Sequence, residues 1–172
     1  MSVTVSFVPK VPDLPAFEDL LLDYYSIVLR TLEAAGGPKL RPEDMVAGSI
    51  ESLDKMLPPN GRLLLAHDET GRLVGCGALL KIRPDAVEMK RMFVRPEAQG
   101  TGLGRTLFEM RLDEARRMGC THVYADTARG NRSMLAMYEK HGFRYIDRYP
   151  ENANPPDFAP YLVFLEYRLD DT

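Results

Sequence analysis

Gln99-Gly100-Thr101-Gly102-Leu103-Gly104 lies between an apolar run, Val87 to Val94, and an amphipathic run that reaches Gly119. The first run reads as a strand and the second as a helix. A glycine-rich turn between strand and helix is an anion cradle. Its glycines let a ligand approach the main chain, its N–H groups point outward, and the positive end of the helix dipole stands behind them. The ligand implied carries phosphate. A P-loop requires Lys-Ser or Lys-Thr after its last glycine, whereas Arg105-Thr106 follows Gly104. A dinucleotide fingerprint requires Gly-x-Gly-x-x-Gly near a domain's start and an acidic residue ending a later strand. Here the glycines are spaced Gly-x-Gly-x-Gly, late in the chain and without that acid. The order that remains is Gln-x-x-Gly-x-Gly.

This order resembles the pyrophosphate-binding motif of the GNAT superfamily of N-acetyltransferases, which bind acetyl-coenzyme A. The likeness extends past the loop. Glu88-Met89-Lys90-Arg91-Met92-Phe93-Val94-Arg95-Pro96 resembles the central strand that precedes the loop in that superfamily. Asn131 to Phe143, with Leu135, Tyr138 and Gly142-Phe143, resembles its later helix and closing turn. The matching region, Ala86 to Arg148, covers about a third of the chain. The fold implied is α/β (α+β): a central mixed, mostly antiparallel sheet, splayed between its fourth and fifth strands and flanked by helices.

The flanking sequence agrees with that order. Val3, Val5 and Phe7 alternate in a strand, Ser2 to Val8. Asp13 caps a helix with Pro15 in its first turn, and Phe17, Leu20, Leu21, Tyr24, Val28 and Leu32 recur at helical spacing until Gly36-Gly37-Pro38. Pro42 opens a second helix carrying Val46, Ile50, Leu53 and Leu57. Leu63 to His67, Leu73 to Ile82 and Ala86 to Val94 form a meander. After the glycine loop and its helix come a strand, Thr121 to Thr127, and a helix, Asn131 to His141. The last strands are Phe143 to Arg148 and Tyr161 to Leu169. Between these two, Tyr149 to Pro160 is too proline-rich for a central strand and long enough for a functional loop.

The 172 residues suit a single domain, 1–172. A formal net charge of −3 and the lack of a long basic run argue against nucleic acid as a partner. The N-terminus lacks a signal-peptide pattern and no apolar run approaches membrane-spanning length, so no membrane partner is expected and cytoplasmic residence is the default. Cys76 and Cys120 lack metal-site spacing, and His67, His122 and His141 are scattered, so no metal is expected.

Acetyl transfer from a thioester to an amine requires a held cofactor, a neutral amine, a donor to the developing oxyanion and a proton for the departing thiolate. By resemblance, main-chain amides along Gln99, Gly100, Thr101, Gly102, Leu103 and Gly104 take the pyrophosphate. Arg95 and Arg105 either add charge there or lie solvated at the surface. The pantetheine arm is expected to pair with backbone along Met92, Phe93 and Val94 as an added strand, with the Met92 amide as oxyanion donor. Asn131 is expected to cap its helix and to bond the pantetheine.

Glu88 stands eleven residues before Gln99, matching the catalytic glutamate of the histone-acetylating branch, and is the candidate base. It acts directly or through water, or else pairs with Lys90 or an arginine as a structural bridge. Strand alternation places Glu88, Lys90 and Met92 on one face and Met89, Arg91 and Phe93 on the other. Tyr138 is by resemblance the candidate acid, the alternative being a core aromatic. Arg91, Arg129, Arg132, Arg144 and Arg148 stand near the expected acceptor end, where a guanidinium suits a carboxylate. Tyr145, Tyr149, Phe158 and Tyr161 flank the proline-rich loop as pocket walls or as packing.

The reading is an acetyl-coenzyme A-dependent N-acetyltransferase acting by direct attack on the primary amine of a small molecule. A protein lysine or N-terminal acetyltransferase, or a non-catalytic acyl-coenzyme A sensor, are the alternatives. Homodimers are common in the superfamily, and the final strands offer a surface for one.

Overall fold

Asp13 starts the first helix as its sequence predicts, accepting a hydrogen bond from the Ala16 amide at 3.0 Å, with a proline in the first turn. The computed structural model describes residues 1–169. Residues 170–172, which the single-domain span includes, lie outside the described residues. The elements are β1 (Val3–Val8), α1 (Leu14–Ala34), α2 (Pro42–Glu51), β2 (Gly61–Asp68), β3 (Leu73–Arg83) and β4 (Ala86–Val94). They continue with α3 (Leu103–Arg117), β5 (His122–Ala128), α4 (Arg132–Lys140), β6 (Arg144–Ile146) and β7 (Leu162–Arg168).

The seven strands form one sheet in the order β1-β2-β3-β4-β5-β7-β6. Every neighbouring pair is antiparallel except β4 and β5. α1 and α2 cover one face, over Phe17, Leu21, Leu63, Leu65, Phe93 and Tyr124. α3 and α4 cover the other, over Leu79, Met89, Phe108, Leu112, Ala125 and Tyr138. α1 buries Phe17, Leu20, Leu21, Tyr25, Leu29 and Leu32. Tyr24 and Val28, expected in that stripe, are only half-buried. α2 ends at Glu51, and Leu53 falls in a short 3₁₀ turn rather than on the helix. β6 ends at Ile146, short of the expected Arg148, because the chain then turns inward to bury Tyr149.

Two irregularities shape the centre of the sheet. β4 and β5 pair only from Ala86↔His122 to Met89↔Ala125, four residue pairs, after which both strands continue without pairing to each other. The expected splay therefore lies between the fourth and fifth strands, and beyond Met89 the β5-facing edge of β4 is open. The second irregularity was not expected. β3 and β4 change register between Ala78↔Lys90 and Cys76↔Phe93, so β4 carries a bulge, and Arg91 within it adopts φ 53°. The bulge overturns the simple alternation. Arg91 and Phe93 reach the α1 face with Glu88 and Lys90: Arg91 lies over the Tyr25 ring and Phe93 packs on Tyr24. Met92 faces α3 instead, where its sulfur accepts from Arg111.

Candidate active site

The widening gap between β4 and β5 opens a cavity of about 210 Å³. Met89, Lys90, Arg91 and Met92 line it from β4, and Asp126, Thr127 and Ala128 from β5. Its walls belong to both sides of the sheet, with Met134 and Tyr138 of α4 on one side and Tyr24, Val28 and Leu32 of α1 on the other.

The glycine loop stands at the N-terminus of α3. Gly100 and Gly102 are left-handed, at φ 77° and 85°, and a Cβ on either would meet nothing within 4 Å. Glycine is thus demanded there by backbone conformation, while the space above the loop is open. Gly102 opens α3 with no side-chain cap, so the first amides of the helix lack that partner. Thr101 ties the loop down by donating to the Ala98 carbonyl at 2.6 Å, and Gln99 donates from Nε2 to the Val94 carbonyl at 3.1 Å. An uncapped helix start, left-handed glycines with open space above them, and an unpaired strand edge leading away fit the pyrophosphate and pantetheine of acetyl-coenzyme A. Arg95 does not serve the loop: it is buried against Asp19 and Asp23 of α1. Arg105 is exposed and paired with Glu109.

Below the cavity lies a buried polar cluster. Glu88 is 0 % exposed and is not among the lining residues. Its Oε2 accepts from the Tyr149 hydroxyl and from Asn152 Nδ2 at 3.2 Å. Its Oε1 lies 3.2 Å from Lys90 Nζ, off the hydrogen-bond direction, so that contact is chiefly electrostatic. Glu88 therefore makes the lysine pair that its sequence context left open. Lys90 Nζ also donates to Asp126 Oδ2 at 3.0 Å. The same oxygen accepts from Asn152 at 2.6 Å and Asn154 at 3.0 Å, leaving Asp126 Oδ1 outside these bonds. Burial raises the Glu88 carboxyl above the usual range, with Lys90 pulling partly the other way. Burial also opposes the charge on Lys90, but Asp126 and Glu88 outweigh it and hold the ammonium protonated.

Tyr138 lines the cavity from α4, its ring set edge-on to Phe108 at 5.4 Å. Burial raises its phenol well above the ordinary value, opposed by nearby Arg111. Asn131 caps α4 through Oδ1, donates from Nδ2 to Thr127 Oγ1 at 3.0 Å and lines the cavity. Met92 lines it as well, whereas the Phe93 and Val94 side chains pack into the cores on opposite faces.

The bulge has its own supports. Arg111, 1 % exposed, donates to the carbonyls of Ala78 at 3.2 Å and Lys90 at 3.4 Å. The Cys76 thiol donates to the Arg91 carbonyl at 3.0 Å. Burial pushes that thiol up to about 12, so it keeps its proton. Gly77 leaves the room: a Cβ there would stand 2.9 Å from Arg111 Nε.

Sequence reasoning missed Asp126, Asn152, Asn154 and Arg111. A lone carboxylate inside the apolar strand His122–Ala128 was the one available signal for Asp126. Of the arginines expected near the acceptor, only Arg91 reaches the cavity. Arg129 donates to the Pro160 carbonyl, Arg144 pairs with Glu166, and Arg148 donates to the carbonyls of Asn152 and Asn154. Phe158 lines the cavity, Tyr149 lies beneath Glu88 and Tyr145 is exposed. Among the described residues no group of three or more His, Cys, Asp or Glu side chains is placed to hold a metal ion, and no helix is long and apolar enough to cross a membrane.

Known proteins resemble this chain in sequence and in fold. The model of the acetyltransferase (GNAT) family matches residues 16–143. The IAA acetyltransferase of Azospirillum brasilense is 37% identical over 118 residues, covering 68% of this chain and 74% of that protein. An uncharacterised N-acetyltransferase of Schizosaccharomyces pombe is 28% identical over 155 residues, 90% of each chain. The crystal structure of an acetyltransferase from Streptococcus agalactiae matches with a TM-score of 0.76 at 25% identity, covering 97% of this chain and 98% of that one. With its glycine loop, its splayed β4–β5 seam and a family match across most of its length, the chain belongs to the acetyltransferase (GNAT) family of N-acetyltransferases.

Proposed function

We propose that this acetyltransferase acts on the primary amine of a small molecule, held on the α1 side of the splayed sheet. The observation that carries the reading is the cavity itself. It is walled by Leu32, Leu40, Met45 and Phe158 on that side and reaches past the bulge to Tyr138 on the other. Acetyl-coenzyme A, when bound, supplies an acyl thioester. The amides from Gly100 to Gly104 hold its pyrophosphate, the open edge of β4 over Met92, Phe93 and Val94 takes the pantetheine, and Asn131 steadies it. The Met92 amide, carried on the bulge, is the oxyanion donor.

An alkylammonium must lose a proton before it can attack. The base in this reading is the Glu88–Lys90–Asp126 cluster acting as a unit. Two carboxylates around one ammonium carry a net negative charge, and a second positive partner or an added proton relieves it. Asp126 lines the cavity and is the member that meets the amine, directly or through a water. Glu88, behind it, is a positioning residue that sets the charge of the cluster. Tyr138 keeps a proton at its hydroxyl on the opposite side, as an acid for the departing sulfur requires. A protein lysine or N-terminal acceptor needs an open cleft, which the Phe158 wall disfavours. A sensor would have no use for the cluster and Tyr138 together.

Thiol release from acetyl-coenzyme A across amino acids, polyamines, aminoglycosides and lysine peptides tests this. Turnover of a small amine at a kcat/KM above that of every peptide is expected. A lysine peptide or N-terminal substrate as the best acceptor overturns the small-molecule reading. Tight coenzyme binding with no turnover on any amine turns the reading into that of a sensor.

A further inference from the structure

Three cations line the cavity: Lys90, Arg91 and Arg111. Two of them are accounted for. Lys90 is matched by Glu88 and Asp126. Arg111 directs its donors at the carbonyls of Leu107, Ala78 and Lys90 and at the Met92 sulfur. Arg91 is different. It forms no ion pair among the described residues, and only its Nε is engaged, with Ser49 Oγ at 3.2 Å. That serine is itself held by the Tyr25 hydroxyl at 2.6 Å, and the Arg91 guanidinium lies over the Tyr25 ring at 5.5 Å. The head group is therefore mounted on two side chains, while its four Nη hydrogens form no hydrogen bond among the described residues.

The backbone goes out of its way to put it there. Alternation along β4 would send Arg91 to the α3 face; the bulge at φ 53° turns it to the acceptor side instead. A positive φ at a non-glycine residue is uncommon and concentrates at functional sites. A half-buried guanidinium with no ion-pair partner among the described residues, against Leu32, Leu40, Met45 and Phe158, is stabilised by an anion that enters the cavity. Its planar fork matches a carboxylate.

We propose that Arg91 is the carboxylate-binding residue of the acceptor subsite. The acceptor is then a small amino-acid-like amine, its acid group on Arg91, its amine toward Asp126 and an apolar body against the α1 and Phe158 walls. This rests on the small-amine reading above and narrows its substrate class.

Matched pairs test it: L-leucine, L-methionine and L-phenylalanine, each against its own carboxamide, with kcat and KM read by thiol release. The carboxamide has the less basic amine, so proton chemistry alone favours it, and any preference for the acid reports binding. Acids are expected to show KM values about 10- to 100-fold lower, the range for a charge-assisted hydrogen bond. Arg91→Gln is expected to shrink that ratio to about threefold or less, and Arg91→Lys, which keeps charge but not the fork, to an intermediate value. In parallel, calorimetry follows binding of the N-acetyl amino acids and their amides to the protein loaded with coenzyme A. Equal use of acids and amides overturns the carboxylate subsite and leaves the small-amine reading standing. If no amine in either series turns over, the wider acceptor panel decides the small-amine reading and calorimetry decides on Arg91. A preference for the acids that Arg91→Gln abolishes supports the subsite, and equal binding of acids and amides refutes it.

Discussion

Gly77→Ala sets a general expectation against a specific one. At a strand position with ordinary φ, replacing glycine by alanine stiffens the unfolded chain and stabilises the fold by about 0.4–1 kcal/mol. Gly77, however, faces Arg111. A Cβ there would stand 2.9 Å from Nε and 3.2 Å from both Cδ and Cζ. Arg111 cannot swing aside cheaply, because it is fully packed and its guanidinium bonds the carbonyls of Ala78 and Lys90. Crowding of this kind costs about 1–3 kcal/mol, so the net effect should be destabilising by about 0–2.6 kcal/mol, opposite in sign to the general rule. The same push displaces the bulge that carries Met92, and kcat/KM should fall by roughly tenfold, less than the ~100-fold associated with a full ångström of misplacement. Urea unfolding at constant m-value measures the first effect and thiol release the second. In an Arg111→Ala background the added methyl meets open space, and the mild stabilisation should return. Gly77→Ala protein at least 0.4 kcal/mol more stable than the parent, with Arg111 intact, would falsify the packing argument.

Three further outcomes follow from the site. Glu88 titrates above its unfolded-state value because it is buried, so the folded protein holds that proton more tightly than the unfolded chain. Its contribution to stability therefore declines as pH rises from the unfolded value through the raised one; Glu88→Gln should remove that slope and shift the acidic limb of the kcat/KM profile, and an unchanged profile would leave Glu88 a purely structural partner of Lys90. Tyr138→Phe should lower kcat by about 100-fold while coenzyme A binding, followed by calorimetry, holds constant; a comparable loss of affinity would mean the phenol binds rather than donates. Gly102→Ala forces a Cβ into φ 85°, at about 1–2 kcal/mol, so coenzyme A should bind roughly tenfold more weakly; unchanged affinity would separate the loop from the pyrophosphate.

Much of this was legible in the sequence because its signals are local. The glycine loop, the Asp13 and Asn131 caps and the strand order each rest on residues close together in the chain. The misreadings arose where packing across the chain decides. Tyr24-Tyr25 and Val28-Leu29 present two adjacent apolar stripes, and only their packing against the sheet shows that Tyr25 and Leu29 take the core. Nothing in a period-two pattern marks the bulge at Arg91, since its supports, Cys76, Gly77 and Arg111, come from β3 and α3. Asp126 looked ordinary until Asn152 and Asn154, from a loop without periodicity, were seen to bond it. Glu88 was found at the expected place in the chain but deeper than a direct base would lie.

The short seam between β4 and β5 has a mechanical meaning. With four rungs the sheet is two plates sharing a brief hinge: β1 to β4 on one side, β5 to β7 on the other. A molecule laid along the open edge of β4 acts as a clamp across that hinge. The clamped protein then resists unfolding by an amount that grows with the logarithm of ligand concentration over its dissociation constant. If coenzyme A is that molecule, melting temperature should rise with its concentration, and the two plates should report the rise together.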